Sequence, residues 1–97
     1  MMKKYESMFI IKPDLSEDDK KALFNQISDV IVKNKGSIIQ AGVWSERRKM
    51  CFSINKYDEG TYYLVNFSLL APSVITEIKQ AYKLNENIIR VLILKAE

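Results

Sequence analysis

Residues 44–67, WSERRKMCFSINKYDEGTYYLVNF, predict a β-hairpin whose first strand is cationic. Three consecutive cations, Arg47, Arg48 and Lys49, interrupt a segment that otherwise has strand character. Turn-forming residues at 57–60 predict the reversal, and a strongly apolar strand follows. A cationic hairpin can hold a polyanion but offers no catalytic groups of its own, so this stretch indicates a binding module rather than an enzyme.

The segments on either side of the hairpin predict two helices and two further strands. Ser16 precedes three acidic residues and predicts a helix N-cap, because its hydroxyl can accept from a free amide while the acids complement the helix dipole. Gly36 predicts the left-handed end of that helix. Pro72 and Ser73 open the second helix. The predicted strands cover residues 5–12, 37–54, 61–70 and 88–95.

The predicted order is therefore β-α-β-β-α-β. Right-handed crossovers turn this order into an α+β, ferredoxin-like fold, a four-stranded antiparallel sheet with both helices on one face. The length of 97 residues allows one domain, residues 1–97. The length of the second strand predicts a projecting arm, with a bulge at Gly42 or Ser45.

Side-chain alternation assigns each strand residue to the core or to the open face of the sheet. In the first strand, Tyr5, Ser7, Phe9 and Ile11 share one face, and Glu6, Met8, Ile10 and Lys12 share the other. The predicted core face of the last two strands carries Tyr63, Val65, Phe67, Leu69, Ile89, Val91 and Ile93. The predicted open face carries Tyr62, Leu64, Arg90, Leu92 and Leu94. That mixture is more apolar than an ordinary solvent face and indicates a docking surface for protein or RNA, with scattered surface residues as the alternative.

The residue types argue against catalysis and against a bound metal or cofactor. The chain has no histidine and one cysteine, so a nucleophile–base pair, a disulfide and a two-cysteine metal site all lack their components. The loop at residues 12–16 has no glycine, and Pro13 removes an amide that a phosphate cradle needs. The acids that follow this loop suit a helix start better than a metal site. We therefore expect no catalytic residue, no metal and no cofactor.

Two further alternatives concern binding. Residues 59–67 superficially match the third strand of an RNA-recognition motif, but an acid replaces its leading cation, and Tyr63 and Phe67 fall on the core face. Base stacking on the sheet is therefore not expected. Trp44 is predicted to be a strand packing residue, with a base-stacking platform as the alternative. A small-ligand regulatory domain stays open. No segment is long enough to span a membrane, so we expect a cytoplasmic protein.

A set of motifs in matching order resembles the bacterial small-subunit ribosomal protein six family over nearly the whole chain. The motifs are Lys4-Tyr5-Glu6, Pro13, Gly36, Trp44 with the arginine pair, Ile54-x-Lys56, Gly60-Thr61-Tyr62-Tyr63, Asn66-Phe67 and residues 84–91. The chain departs from the family pattern at residues 45–52. There Ser45-Glu46 replaces a glycine with one extra residue.

The resemblance implies a structural constituent of the small ribosomal subunit, with a role in translation and subunit assembly. It implies binding to the central domain of 16S ribosomal RNA, jointly with small-subunit ribosomal protein eighteen as a heterodimer, and neither a membrane nor a small-molecule substrate. The expected RNA contacts are Arg47, Arg48, Lys49 and Lys56, followed by Lys3, Lys4 and Arg90. The expected partner-protein face is Tyr62, Leu64, Leu92 and Leu94. Alternatively, the hairpin cations only protect a strand edge from aggregation.

Overall fold

The hairpin belongs to a four-stranded antiparallel sheet in this computed structural model, which describes residues 3–54 and 57–96. Side chains are described for all of these except residue 47 and residues 50–54. The elements are β1 (Lys3–Ile11), α1 (Glu17–Lys33), β2 (Ser37–Ile54), β3 (Tyr57–Leu69), α2 (Ile75–Lys83) and β4 (Ile88–Ala96). The strands lie in the order β2-β3-β1-β4, each antiparallel to its neighbour. The predicted ferredoxin-like order is confirmed.

The hydrophobic core lies between the sheet and the two helices. Phe9 of β1 is fully buried, and its ring meets Tyr82 of α2 edge to face with centroids 4.7 Å apart. The Tyr82 hydroxyl donates to the carbonyl oxygen of Ile27 in α1 at 2.7 Å, which links the two helices. Burial, with a smaller contribution from Tyr63, raises the pKa of Tyr82 far above its usual value. This phenol is therefore a neutral structural group.

Helix α1 begins as predicted, because the amide of Asp19 donates to the Ser16 hydroxyl at 3.1 Å. Its end differs from the prediction. Lys35, not Gly36, takes the left-handed conformation, with φ 64°. The amides of Lys35 and Gly36 donate to the carbonyls of Val32 and Ile31 in a Schellman arrangement.

Gly36 is required for close packing rather than for its conformational freedom. A Cβ at this position would lie 2.7 Å from Ile31 Cγ2 and 2.8 Å from Leu69 Cδ2. The residue therefore lets the end of α1 approach β3.

One core assignment in β4 was wrong. The register between β1 and β4 shifts between Ile10 and Ile11, so that Ile11 lies opposite Ile88. Ile88 is consequently in the core, whereas Ile89 is only half-buried and lies outside the core cluster. A bulge reverses side-chain alternation on one side of it, and alternation read from sequence alone cannot detect this.

The predicted turn at residues 57–60 was also wrong, because these residues are part of β3. Tyr57 pairs with Ile54, Glu59 with Lys49, and Gly60 with Arg48. Residues 55 and 56, which lie between β2 and β3 in the sequence, are outside the described residues. Since β1 pairs with β3 only as far as Thr61, residues 46–54 and 57–60 extend past the sheet as a two-stranded arm.

The arm begins at an irregular part of β2. The register against β3 shifts between Val43 and Ser45, which confirms the bulge predicted at Ser45, and it shifts again between Ser45 and Arg48. Two shifts within six residues twist β2 and change which side chains share a face with the sheet.

Candidate functional site

The face of the sheet opposite the helices, which we term the open face, presents its side chains in cross-strand rows. The central row is Gly42, Leu64, Met8 and Leu92, and the rows beside it are Gln40, Asn66, Glu6 and Leu94, and Ser45, Tyr62, Ile10 and Arg90. Leucines are exposed on this surface, and Leu64, Leu92 and Leu94 are 37%, 43% and 54% accessible. The structure thus places the four residues of the predicted partner-protein face on one surface. Their role stays a prediction.

Two shallow cavities lie side by side on the open face. The larger, about 420 Å³, is lined by Glu6, Ser7, Met8, Leu64, Asn66, Leu92 and Leu94. The smaller, about 220 Å³, is lined by Gln40, Gly42, Val43, Trp44, Leu64 and Asn66. Leu64 and Asn66 belong to both cavities, so the concave surface continues from β4 to β2.

Trp44, Tyr62 and Arg48 form an aromatic–arginine cluster where the arm leaves the sheet. The rings of Trp44 and Tyr62 meet edge to face with centroids 5.6 Å apart. The Arg48 guanidinium carbon lies 4.5 Å from the Trp44 ring centroid and 5.9 Å from that of Tyr62. The cation–π contacts orient the guanidinium, whose planar N–H groups suit a phosphate.

Trp44 packs at the surface and not in the core, since 53% of its side chain is accessible. The bulge explains this position, because Trp44 precedes Ser45, which lies opposite Tyr62. The sequence prediction recognised Trp44 as a packing residue but missed the partners that it packs against. A tryptophan directly before a predicted bulge was the available signal.

The predicted RNA-contacting cations fall into two groups. Arg48 and Lys49 are exposed on the arm, and Arg90 is exposed in the row that contains Tyr62. Lys3 and Lys4 are exposed at the other end of β1; six residues of strand, about 20 Å, separate Lys4 from the row of Arg90.

The structure brings Arg48, Lys49 and Arg90 to one end of the molecule. Lys3 and Lys4 lie apart from them, at the other end of β1. Lys56 and the side chain of Arg47 lie outside what is described.

An ion pair connects the arm to α1. Lys20 Nζ lies 3.2 Å from Glu46 Oε1 and 3.5 Å from Glu17 Oε1, and only 11% of the Lys20 side chain is accessible. Glu46 belongs to the Ser45-Glu46 pair of β2, which stands where the family pattern has a single glycine. It therefore anchors the base of the arm to the helix side of the sheet, while Trp44 and Tyr62 meet on the other side.

The chemistry that the described residues offer is stacking, cationic contact and apolar contact. Among the side chains that the structure describes, no group of three or more His, Cys, Asp or Glu is placed to hold a metal ion. Within residues 3–54 and 57–96, no helix is both long and apolar enough to cross a membrane. The pKa shifts that burial causes, on Tyr63 and Tyr82, are in the core and not on the open face.

Comparisons with known proteins agree over the whole chain. The family model described as ribosomal protein S6 matches residues 4–95. Small ribosomal subunit protein bS6 of Thermoanaerobacter pseudethanolicus is 35% identical over 96 residues, covering 99% of both chains. The corresponding protein of Lactobacillus acidophilus is 36% identical over 94 residues, covering 97% of this chain and 95% of the relative.

Solved structures give the same result. The crystal structure of 30S ribosomal protein S6 from Thermotoga maritima superposes with a TM-score of 0.89 at 28% identity, covering 99% of this chain and 89% of that one. A chain from the structure of the chemotaxis kinase CheA P2 domain in complex with the response regulator CheY, from the same organism, superposes with a TM-score of 0.67 at 13% identity, which is a likeness of fold alone.

Proposed function

The chain belongs to the ribosomal protein S6 family, and on that premise we propose that it binds the central domain of 16S ribosomal RNA jointly with small-subunit ribosomal protein eighteen, as a heterodimer. The family itself establishes the coarser statement. The chain is a structural constituent of the small ribosomal subunit, acts in the bacterial cytoplasm, and is not an enzyme. This decides against the enzyme and the regulatory ligand-binding alternatives.

The observation that carries the finer proposal is the adjacency of an apolar surface and a cationic one. The larger cavity and the exposed Leu92 and Leu94 present apolar area that a protein partner can cover. The aromatic–arginine cluster and the exposed Lys49 lie at the neighbouring end of the same sheet. A partner on the first surface and an RNA on the second would lie side by side, which supports joint binding.

The proposed RNA contacts are to the phosphate backbone. At the arm end, the proposed contacts with described side chains are Arg48, Lys49 and Arg90. Arg47 and Lys56 are proposed as further contacts from the sequence alone. Lys3 and Lys4, at the other end of β1, would reach a second, separate stretch of backbone. So few phosphate contacts predict weak, salt-sensitive binding by the chain alone, and a large gain when the partner contributes its own contacts.

A filter-binding assay with a central-domain RNA fragment, with and without the partner protein, tests joint binding. We expect affinity to rise when the partner is present. Leu92→Glu removes this gain by placing a charge in the apolar surface, while the control Leu84→Glu, at a leucine 84% accessible after α2, retains it. Equal affinity with and without the partner would contradict the heterodimer.

Salt titration tests the cations in the same assay. The Arg48→Met/Lys49→Met double variant is expected to reduce the slope of log K against log salt concentration by about 2, one unit for each lost phosphate contact. The matched control is Lys79→Met/Lys83→Met on α2, which removes the same charge from the helix side. Equal slopes for the two double variants would show that net charge, and not the arm, determines binding.

A further inference from the structure

We propose that the smaller cavity of the open face binds one unpaired nucleobase of the RNA. The inference rests on the proposed function and deepens it, because it adds recognition of a base to contacts with phosphates. The cavity lies on the β2–β3 pair and shares Trp44 with the aromatic–arginine cluster, and its volume is about 220 Å³. Pockets for drug-sized ligands run from roughly 300 to 1,000 Å³, so this one suits a single ring system.

The wall of the cavity is built for stacking. Trp44 contributes a large aromatic surface that is half exposed, and the Arg48 guanidinium lies 4.5 Å from the centre of its ring. Single-stranded RNA is bound by stacking its unpaired bases on aromatic rings and on arginine planes. Arg48 and the neighbouring Lys49, both exposed, also bring positive charge close to Trp44, which suits the phosphates that flank a stacked base.

The floor and the far edge of the cavity complement the edge of a base. Gln40 and Asn66 are cross-strand partners, and both side chains line the cavity. Each primary amide offers a hydrogen-bond donor beside an acceptor, the combination that the edges of unpaired bases present. Between these amides and Trp44 lies Gly42, and a Cβ built on it would meet no heavy atom within 4 Å. A flat ring therefore has an unobstructed floor.

The two cavities of the open face differ in the occupant that they suit. Met8, Leu92 and Leu94 line the larger cavity, which matches the apolar side chains of a protein partner. The smaller one combines a tryptophan, two amides and an adjacent guanidinium, which matches a heteroaromatic ring attached to a polyanion. The open face is thus divided, with protein toward β4 and RNA toward β2.

Trp44 is the only tryptophan of the chain, so its fluorescence reports directly on this cavity. We expect its emission to be quenched when the central-domain RNA fragment is added to the chain with its partner. Trp44→Leu is expected to weaken RNA affinity roughly 5- to 150-fold, the effect of losing one stacked base. Because no charge is removed, the slope of log K against log salt concentration should not change, unlike the slope of the arm variant.

Matched amide variants supply the second readout. Gln40→Ala and Asn66→Ala are expected to weaken RNA binding several-fold, whereas Gln80→Ala on α2 and Asn25→Ala on α1, both exposed, leave it unchanged. Circular dichroism would detect a change of the arm in Trp44→Leu. In that case, the four amide variants still test the cavity independently of Trp44.

Three results would overturn the inference. Trp44 emission that responds to the partner protein alone, and not to RNA, would assign the cavity to the protein. Unchanged affinity in Trp44→Leu and Gln40→Ala, with joint RNA binding intact, would remove the base site and leave the proposed function standing. A wild-type chain that binds no RNA with its partner would remove both.

Discussion

Leu64 and Val65 are neighbours in β3, yet Val65 is fully buried and Leu64 is 37% accessible. The pleat directs them to opposite faces of one sheet. On the helix-covered face, apolar side chains interlock with α1 and α2 and hold the fold together. On the open face, side chains of the same kind line two cavities. Apolar composition therefore serves stability on one face and is free for recognition on the other.

The sharpest test of this division exchanges one large side chain on each face for alanine. Phe9→Ala removes a fully buried ring that contacts Tyr82, and should lower the free energy of unfolding by about 3–5 kcal/mol through lost burial and a cavity. Leu92→Ala, at a half-exposed residue on the open face, should cost about 1 kcal/mol or less. Urea titration followed by circular dichroism measures both.

The loss of partner binding should be larger for Leu92→Ala than for Phe9→Ala, the reverse of their order in stability. Leu92→Ala is expected to reduce the affinity gain given by the partner protein, whereas the folded fraction of Phe9→Ala keeps it. Comparable stability losses in the two variants would mean that the open face also holds the fold together.

Much of the covered face could be predicted from sequence because its signals are local. The cap at Ser16 needs only the residues that follow it, and alternation in β1 and β3 needs only one strand at a time. The failures involve pairing between distant segments. Residues 57–60 have turn composition, but the ladder with β2 keeps them extended. Ile88 replaces Ile89 in the core through a register shift that only the β1–β4 pairing reveals.

The open face was harder to predict because its cavities depend on register. The exposed leucines could be predicted from alternation, and the arm cations from their clustering. Gln40 and Asn66 are 26 positions apart in sequence and become neighbours only when β2 and β3 pair. The pairing of Lys20 with Glu46 likewise depends on a bulge. The sequence also does not show that Lys3 and Lys4 lie at the opposite end of β1 from the row of Arg90.

Two glycines offer a second contrast between the faces. Gly36→Ala would place a Cβ 2.7 Å from Ile31 Cγ2 and 3.0 Å from the Ile31 carbonyl oxygen, so the end of α1 must shift. We expect a loss of about 1–3 kcal/mol in the free energy of unfolding. Gly42→Ala has open space around the new methyl group and should change stability by less than about 1 kcal/mol, in the stabilising direction.

In Gly42→Ala, RNA binding and stability should not change in the same direction. The new methyl group of Gly42→Ala stands on the floor of the smaller cavity, so this variant should bind the RNA fragment more weakly while unfolding at the same or a higher urea concentration. A destabilised Gly42→Ala would show that the open face is more tightly packed than its cavities indicate.

The smallest effect concerns the connection between the two faces. Lys20 lies on α1, and Glu46 lies at the base of the arm that carries the aromatic–arginine cluster. Glu46→Gln leaves the nearly buried ammonium with Glu17 as its remaining carboxylate, and Glu17 is 3.5 Å away and mostly exposed. We expect a coupling energy of about 0.5–1 kcal/mol between Lys20 and Glu46 in a double-mutant cycle with Lys20→Met.

Hydrogen exchange locates that coupling, because opening of the arm is separate from global unfolding. Amides of the Arg48–Gly60 pairing should exchange about 2- to 5-fold faster in Glu46→Gln, the factor that corresponds to this energy, while amides in the core strands keep their protection. Glu17→Gln removes the same charge from the other side of Lys20 and should leave the arm unchanged. Equal exchange in the two variants would mean that the bulge holds its shape without the ion pair. The arm would then be a rigid extension of the sheet, and its orientation would not depend on the helix-covered face.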